Sequence, residues 1–386
     1  MDFKDWFCLK HRESFTIDPK ITAADAQFYF GREQLSERMH KQIARSFVDP
    51  QVPKMMVWGP YGCGKTQTLY YLAYWLMHNK PASCKLSPFV VHLEIEVQSK
   101  SKASDWHLQN MEAIGMDSVQ EWVQSLVGKS KGGFDAEMAK IAKDPNIGKA
   151  FGLLRGGGEV AFTAWRWLCG QKLTSKELQE IKVTRNLGDV GVGDLVAGLQ
   201  ACGNLAAAAG QCLILFIDEM EELQNVREGD AAESWHQYVR KLADNANSTV
   251  GFVIGFKADV RDQAPEMLVR GDVFSRVSAN NYIELETLSA PANVEKFVEE
   301  MLGHLIDQDV ADKRIQEESL PSTVKTYPFT ASAFALLCDY ACQDVVKSTP
   351  RNIIKTINEC AIAAWDATSK VIDDGVVNEI APIIFN

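Results

Sequence analysis

The chain has 386 residues, 46% of them hydrophobic, and a formal net charge of −11. That length and composition allow a sizeable core and either two domains or one large domain carrying an insertion. The charge excludes a surface that is basic all round, though a local basic groove stays open. The nine cysteines show no paired CxxC spacing and no nearby His cluster, which predicts reduced, mostly buried thiols of an intracellular protein. No run approaches the length of a membrane span and the first residues lack an apolar signal segment, so a cytoplasmic location is expected, with no membrane partner.

Residues 1–33 are mixed and aromatic, with Trp6, Phe7 and Phe15 followed by Phe28-Tyr-Phe-Gly-Arg-Glu33. They predict an N-terminal arm packed on the domain behind it. From Gln34 to Phe47, Leu35, Met39, Ile43 and Phe47 fall at helical spacing, and Asp49-Pro50-Gln-Val-Pro53 ends the helix. Met55-Met-Val-Trp58 then reads as a strand, and Gln67 to Asn79 as a helix.

Between these two elements lies Gly59-Pro-Tyr-Gly-Cys-Gly-Lys65-Thr66. Strand, glycine loop and helix in that order are the context a phosphate-binding loop requires. Gly59, Gly62 and Gly64 allow a tight turn whose N–H groups point at a phosphate, with Cys63 the small residue that fits between them. The helix that begins near Lys65 and runs on through Gln67 adds its positive end. Lys65 is expected to reach the β- and γ-phosphates, and the Thr66 hydroxyl to bind Mg2+.

Pro88-Phe-Val-Val-His-Leu-Glu-Ile-Glu-Val97 alternates as a second core strand does. Residues 98–210 then separate it from the next, a long interval for a compact nucleotide domain. Within them Lys100, Lys102, Lys129, Lys131, Lys140, Lys143 and Lys149 leave contact with DNA open. The interspersed Asp105, Glu112, Asp117, Glu121, Asp135 and Glu137 predict instead a solvated helical surface. Gly156-Gly-Gly158 follows no strand and reads as a hinge.

Gln211-Cys-Leu-Ile-Leu-Phe-Ile-Asp218-Glu219 is apolar throughout until its two acids, as a strand buried on both faces in a parallel sheet is. Asp218 is expected in the Mg2+ shell and Glu219 to orient and polarise the attacking water. Ala232 to Ala246 reads as a helix and Thr249 to Phe256 as another buried strand. Beyond Tyr282-Ile-Glu-Leu285, the last core strand, residues from Ala290 onward read as helices. Thr330 caps one of them and Pro350 opens another. The tail after Lys370 reads as a docked strand or a partner contact.

Phe28 to Glu33, lying before the phosphate loop, resembles the N-terminal element of AAA+ initiator-type (Orc/Cdc6-like) ATPases, which covers the adenine in that family. Trp6-Phe-x-Leu-Lys10 with Phe15-x-Ile-x-Pro19 is similar to the opening of related transposition-regulator and secretion ATPases, although Ser14 stands where those carry proline. Ala164-Trp-Arg-Trp-Leu-Cys-Gly170 resembles a tract in the ATPases of BREX-type phage-defence systems, and a buried aromatic pair explains it equally well. The resemblance covers most of 28–97 and 211–366. It implies one AAA+ module, an α/β fold with a P-loop parallel sheet over 34–289, a large insertion at about 98–210 and a C-terminal helical lid and short tail over 290–386.

The same resemblance implies ATP and Mg2+ as cofactors. It makes Arg276, in Val273-Phe-Ser-Arg276, an arginine finger acting in trans within a homo-oligomer. It makes Arg351, after Pro350, a second sensor touching the γ-phosphate in cis. The first sensor departs from the family, since Gly255-Phe-Lys-Ala-Asp259 offers only Lys257 or Asp259. No winged-helix segment of the kind full initiators carry is expected after the lid. Three uses stay open: a DNA-bound transposition or initiation regulator, a defence ATPase that recruits an effector protein, and a STAND-like nucleotide-controlled signalling switch.

Overall fold

The computed structural model describes residues 2–10, 12–48, 52–128, 133–244 and 249–385. Lys129 and Lys131, and the Asp49-Pro50 break, lie outside the described residues. The chain divides into two compact units, one built from Met39–Trp58 and Leu72–Glu284, the other from Met1–Arg38, Gly59–Tyr71 and Leu285–Asn386.

The first unit is organised on a five-stranded parallel sheet: β1 (Lys54–Gly59), β2 (Ser87–Glu94), β3 (Gln211–Asp218), β4 (Val250–Lys257) and β5 (Tyr282–Glu284), in the spatial order β2-β3-β4-β1-β5. Six of the eight residues in Gln211–Asp218 are uncharged apolar residues packed from both faces, which is why the run shows no alternation. Because the ladder is parallel and in register, Glu94 stands opposite Asp218, and the carboxyl ends of β2 and β3 fall together. In open parallel sheets that edge is where ligands bind.

Among the described residues seven helices lie between β2 and β3, from Ala103–Ile114 to Val192–Ala208. They continue the core of the sheet. In helix Met116–Leu126 the buried residues are Val119, Trp122, Val123 and Leu126, one face at a period of 3.6. Trp122 meets Phe89 of β2 edge-on at 5.0 Å and donates its indole N–H to Gln211 at the start of β3. Trp106 stacks on Trp235 at 5.4 Å and leans on Tyr238 at 4.7 Å; each such fully buried ring contributes about 2–3 kcal/mol by area alone. Trp165 and Trp167 are both buried, and Arg166 pairs with Glu177 at 2.8 Å, so the Trp-Arg-Trp tract has a packing role. Gly157 and Gly158 take positive φ where helix Gly158–Leu168 begins, after helix Pro145–Leu154.

The second unit is helical. Helix Pro291–Leu305 buries Val294, Phe297, Val298, Met301, Leu302 and Leu305 on one face. Phe7 and Phe15 of the N-terminal arm are fully buried in the same cluster, and Leu9 bridges to Ile306. Thr330 accepts from the N–H of Ala333 at the start of helix Ala331–Gln343, and Thr349 accepts from Asn352 at the start of Pro350–Asp366. Of the two expectations for the tail, a docked strand or a partner contact, the structure corrects the strand. It forms helix Asp374–Phe385, because Val377, Ala381 and Phe385, four residues apart, bury one face. Pro382 inside it and the apolar Ile383-Ile-Phe385 run conceal that period in the sequence.

Candidate nucleotide site

The loop that leaves β1 belongs to the helical unit. Gly62 and Gly64 sit at φ +81° and +87°, a region closed to most side-chain-bearing residues, so the loop takes this path only with glycine there. A Cβ on Gly62 would also stand 2.8 Å from the Thr349 hydroxyl. Gly64 has open space on that side. Cys63 is buried and its N–H donates to the Pro60 carbonyl at 3.4 Å. Lys65 begins helix Lys65–His78 and its ammonium folds back over the loop, donating to the carbonyls of Gly59 and Pro60 at 3.2 and 3.1 Å. Thr66 stands in the first helical turn, half-buried.

Two further parts of the same unit close on this loop. The Gln67 amide donates to the carbonyls of Asp25 and Phe28 at 2.7 and 2.6 Å, and Tyr29 stacks on Tyr71 at 4.6 Å, so the arm is fastened to the helix that follows the loop. Gln67 therefore has a structural task beside the ligand contact expected of it, and its Oε1 is buried without a hydrogen-bond partner. On the far side of Phe28–Glu33, the Gly31 N–H donates to Glu300 at 2.7 Å and Arg32 to the Glu286 carbonyl.

From the start of helix Pro350–Asp366, Arg351 donates its backbone N–H to the Gly62 carbonyl at 3.3 Å. Its guanidinium lies 4.7 Å from the centre of the Tyr61 ring and donates to the Tyr61 hydroxyl. Gly59 to Gln67 and Arg351 are thus gathered in one place although they lie far apart in the chain.

Asp218 and Glu219 belong to the sheet unit. Asp218 is 6% exposed and its carboxylate accepts the Glu219 N–H at 2.9 Å. Glu219 holds φ +61°, ψ +29°, a left-handed conformation that costs a residue with a side chain about 1–2 kcal/mol. Strain of this kind at a strand end is the sort found at functional positions. Arg276 belongs to the same unit, in the last turn of helix Gly271–Val277, where its guanidinium donates to the Asp272 carbonyl. The Asp272 carboxylate also holds His236 at 3.1 Å and Arg270 at 3.8 Å.

Sequence reasoning gave no role to Tyr61, named only as part of the loop, or to Glu221, whose carboxylate accepts the Lys257 N–H at 2.8 Å. An aromatic residue inside a glycine loop was the available signal for the first. Nothing in the sequence pointed to the second.

Among the described residues no helix is long and apolar enough to cross a membrane, and no group of three or more His, Cys, Asp or Glu side chains could hold a metal unaided. No family model and no curated protein matches the chain. Solved structures do. Aeropyrum pernix ORC2, described as ADPNP-ADP complexes, aligns at a TM-score of 0.53 and 11% identity, covering 99% of this chain and 71% of that one. Aeropyrum pernix ORC1 in complex with DNA aligns at 0.44 and 12%, covering 93% and 66%. The Thermotoga maritima RuvB Holliday junction branch migration motor aligns at 0.39 and 10%, covering 92% and 70%. The likeness to ORC2 takes in 99% of this chain and shows its fold, that of an AAA+ P-loop NTPase, here with a five-stranded parallel sheet.

Proposed function

We propose that this chain is a Mg2+-dependent ATPase, hydrolysing ATP to ADP and phosphate. The observation that carries the reading is the loop Gly59–Thr66, with positive φ at Gly62 and Gly64 and the Lys65 ammonium over the loop carbonyls. A phosphate placed there would accept from the loop N–H groups and from Lys65 in exchange for the carbonyl contacts. Thr66 and Asp218 would hold Mg2+. A hydroxyl and a carboxylate are oxygen donors of the kind that ion takes, with phosphate oxygens and water to complete an octahedral shell. Bound there, the ion would offset charge on the phosphates.

Glu219 would orient a water and take its proton as the water oxygen bonds to the γ-phosphorus and the bond to the ADP oxygen breaks. Arg351 would contact the γ-phosphate in cis, and Arg276 the nucleotide of a neighbouring copy. Through that trans contact the cycle would drive homo-oligomerisation and the recruitment of an effector protein, in phage defence or a DNA transaction. A second reading, the nucleotide-held signalling switch, draws on Arg276 bonding within its own chain.

The test uses two variants and one mass measurement. Lys65→Ala should lose ATP binding, and Glu219→Gln should keep it while losing turnover; unchanged affinity in the first, or an active second, overturns the assignment of that residue. Light scattering on Glu219→Gln with ATP and Mg2+ then separates the uses. Assembly on ATP alone supports an ATPase acting on a protein partner, and assembly only with duplex DNA supports the DNA-bound use. A monomer in both favours the switch.

A further inference from the structure

We propose that Tyr61 is the positioning residue for Arg351: it holds the arginine at the phosphate loop before ATP arrives and so sets how strongly the protein prefers ATP to ADP. This rests on the nucleotide-site reading above and names a residue which that reading does not use. Tyr61 is 61% exposed, so no core packing accounts for its ring. What it touches is the guanidinium, which lies 4.7 Å from the ring centre and donates to the hydroxyl. A guanidinium suits such a partner, since its weakly hydrated cation is attracted to the ring and its N–H groups donate to the hydroxyl.

The backbone brings the pair together independently of the side chains. The Arg351 N–H donates to the Gly62 carbonyl at 3.3 Å, and a Cβ on Gly62 would lie 2.8 Å from Thr349 Oγ1 and 3.2 Å from Arg351 Cβ. The first turn of helix Pro350–Asp366 thus sits directly on the residue that follows Tyr61. With the helix start fixed, only the long side chain of Arg351 keeps its freedom, and a free arginine loses much rotamer entropy when a ligand orders it. Tyr61 orders it in advance, and contacts made in advance raise affinity by lowering the cost of binding. Because Arg351 addresses the terminal phosphate, the gain falls on ATP and leaves ADP nearly untouched.

The experiment measures ATP and ADP affinities of the full chain by fluorescent-nucleotide titration, for the wild type, Tyr61→Ala, Tyr61→Phe, Arg351→Ala and the Tyr61→Ala/Arg351→Ala double variant. Melting temperatures check that each is folded. Tyr61→Ala should lower the ATP-to-ADP preference by about three- to tenfold, the size of an exposed cation–π contact with one hydrogen bond. Tyr61→Phe, which keeps the ring, should recover part of it. In the Arg351→Ala background, Tyr61→Ala should have no further effect, since it acts only through the arginine. Additive losses overturn the proposal, and so does a rise in ATP preference in Tyr61→Ala, which would make Tyr61 a competitor for the arginine. Lys65→Ala separates the two levels. If it binds ATP as the wild type does, the nucleotide-site reading itself fails; if it loses ATP while the Tyr61 and Arg351 effects add, that reading stands and this one falls.

Discussion

Glu221 accepts the backbone N–H of Lys257 at 2.8 Å, so the turn leaving β3 just past Glu219 is bonded to the last residue of β4. The bond is charge-assisted and braces the segment that keeps Glu219 in its left-handed conformation. Glu221→Ala should therefore lower kcat about tenfold, the effect of misplacing a water-orienting group by a fraction of an ångström, with KM for ATP nearly unchanged. Since the N–H and not the ammonium makes the contact, Lys257→Ala should stay within about twofold of wild type, as exposed substitutions usually do. Steady-state kinetics on both variants decide the matter. Loss of turnover in Lys257→Ala would restore its side chain as the first sensor.

Arg276 donates to the carbonyl of Asp272 one turn earlier, and the Asp272 carboxylate holds Arg270 and His236. To act on a neighbour's nucleotide, the guanidinium must exchange the Asp272 carbonyl for phosphate oxygens, a charge-assisted pair that is the stronger of the two. Arg276→Ala should then lower turnover by about 10³-fold, as removal of a trans arginine does, while ATP binding persists. Mixing Arg276→Ala with Lys65→Ala chains should restore part of the activity, because each lacks a different half of the shared site. Absence of rescue at every mixing ratio would falsify the trans assignment.

The parts of this molecule that were legible in the sequence are those written in short stretches. The unbroken apolar run before Asp218 can only be a strand covered on both faces, and Lys65-Thr66 carries its own context of strand, loop and helix. Pro350 after Thr349 marks a helix start by composition alone. What could not be read depends on distance in the chain. Tyr61 and Arg351 meet across 290 positions, and no local pattern encodes that. The grip of Gln67 on the carbonyls of Asp25 and Phe28 is also invisible, because backbone acceptors leave no trace in residue type. The tail failed for another reason: its one-sided burial is spaced by fours, but Pro382 and the apolar end of the chain obscure the period.

His107 is fully buried between two partners, Nε2 at 2.8 Å from the Leu168 carbonyl and Nδ1 at 3.1 Å from the Tyr238 hydroxyl. A carbonyl only accepts, so Nε2 carries the proton and Nδ1 accepts from the phenol. Burial lowers the imidazole pKa from 6.5 to about 4, against a smaller upward pull from the Leu168 bond. Below pH 6.5 the unfolded chain takes up a proton that the folded chain refuses until about pH 4, so stability falls as pH drops through that window. The loss is about 3 kcal/mol when the window has been crossed. Denaturant melts at pH 4.5 and 6.5 should show a smaller difference for His107→Gln than for the wild type. Equal differences would mean that His107 titrates normally in the fold.

Lys54 opens β1 with 6% of its surface exposed, and its ammonium donates to the carbonyls of Ala243 and Asp244 at 3.1 and 3.2 Å, where helix Asp230–Ala243 ends. The negative end of the helix dipole and the bonds favour the cation there, but burial outweighs them. It lowers the pKa from 10.5 to about 8, with Asp244 pulling the other way. The sign is opposite to that of a surface ion pair. At pH 7 the lysine is protonated in both states and the cost of burying its charge is present in full. Between pH 8 and 10.5 the folded chain has released the proton while the unfolded chain retains it, so this residue contributes stability that rises with pH, by at most about 3 kcal/mol. Lys54→Met removes the charge together with the bonds to Ala243 and Asp244, and its stability should lack that upward component. Chemical denaturation of both proteins at pH 7.5, 8.5 and 9.5 reads the difference directly. The gap between variant and wild type should shift in favour of the wild type as pH rises, and a gap independent of pH would show that Lys54 keeps its proton throughout.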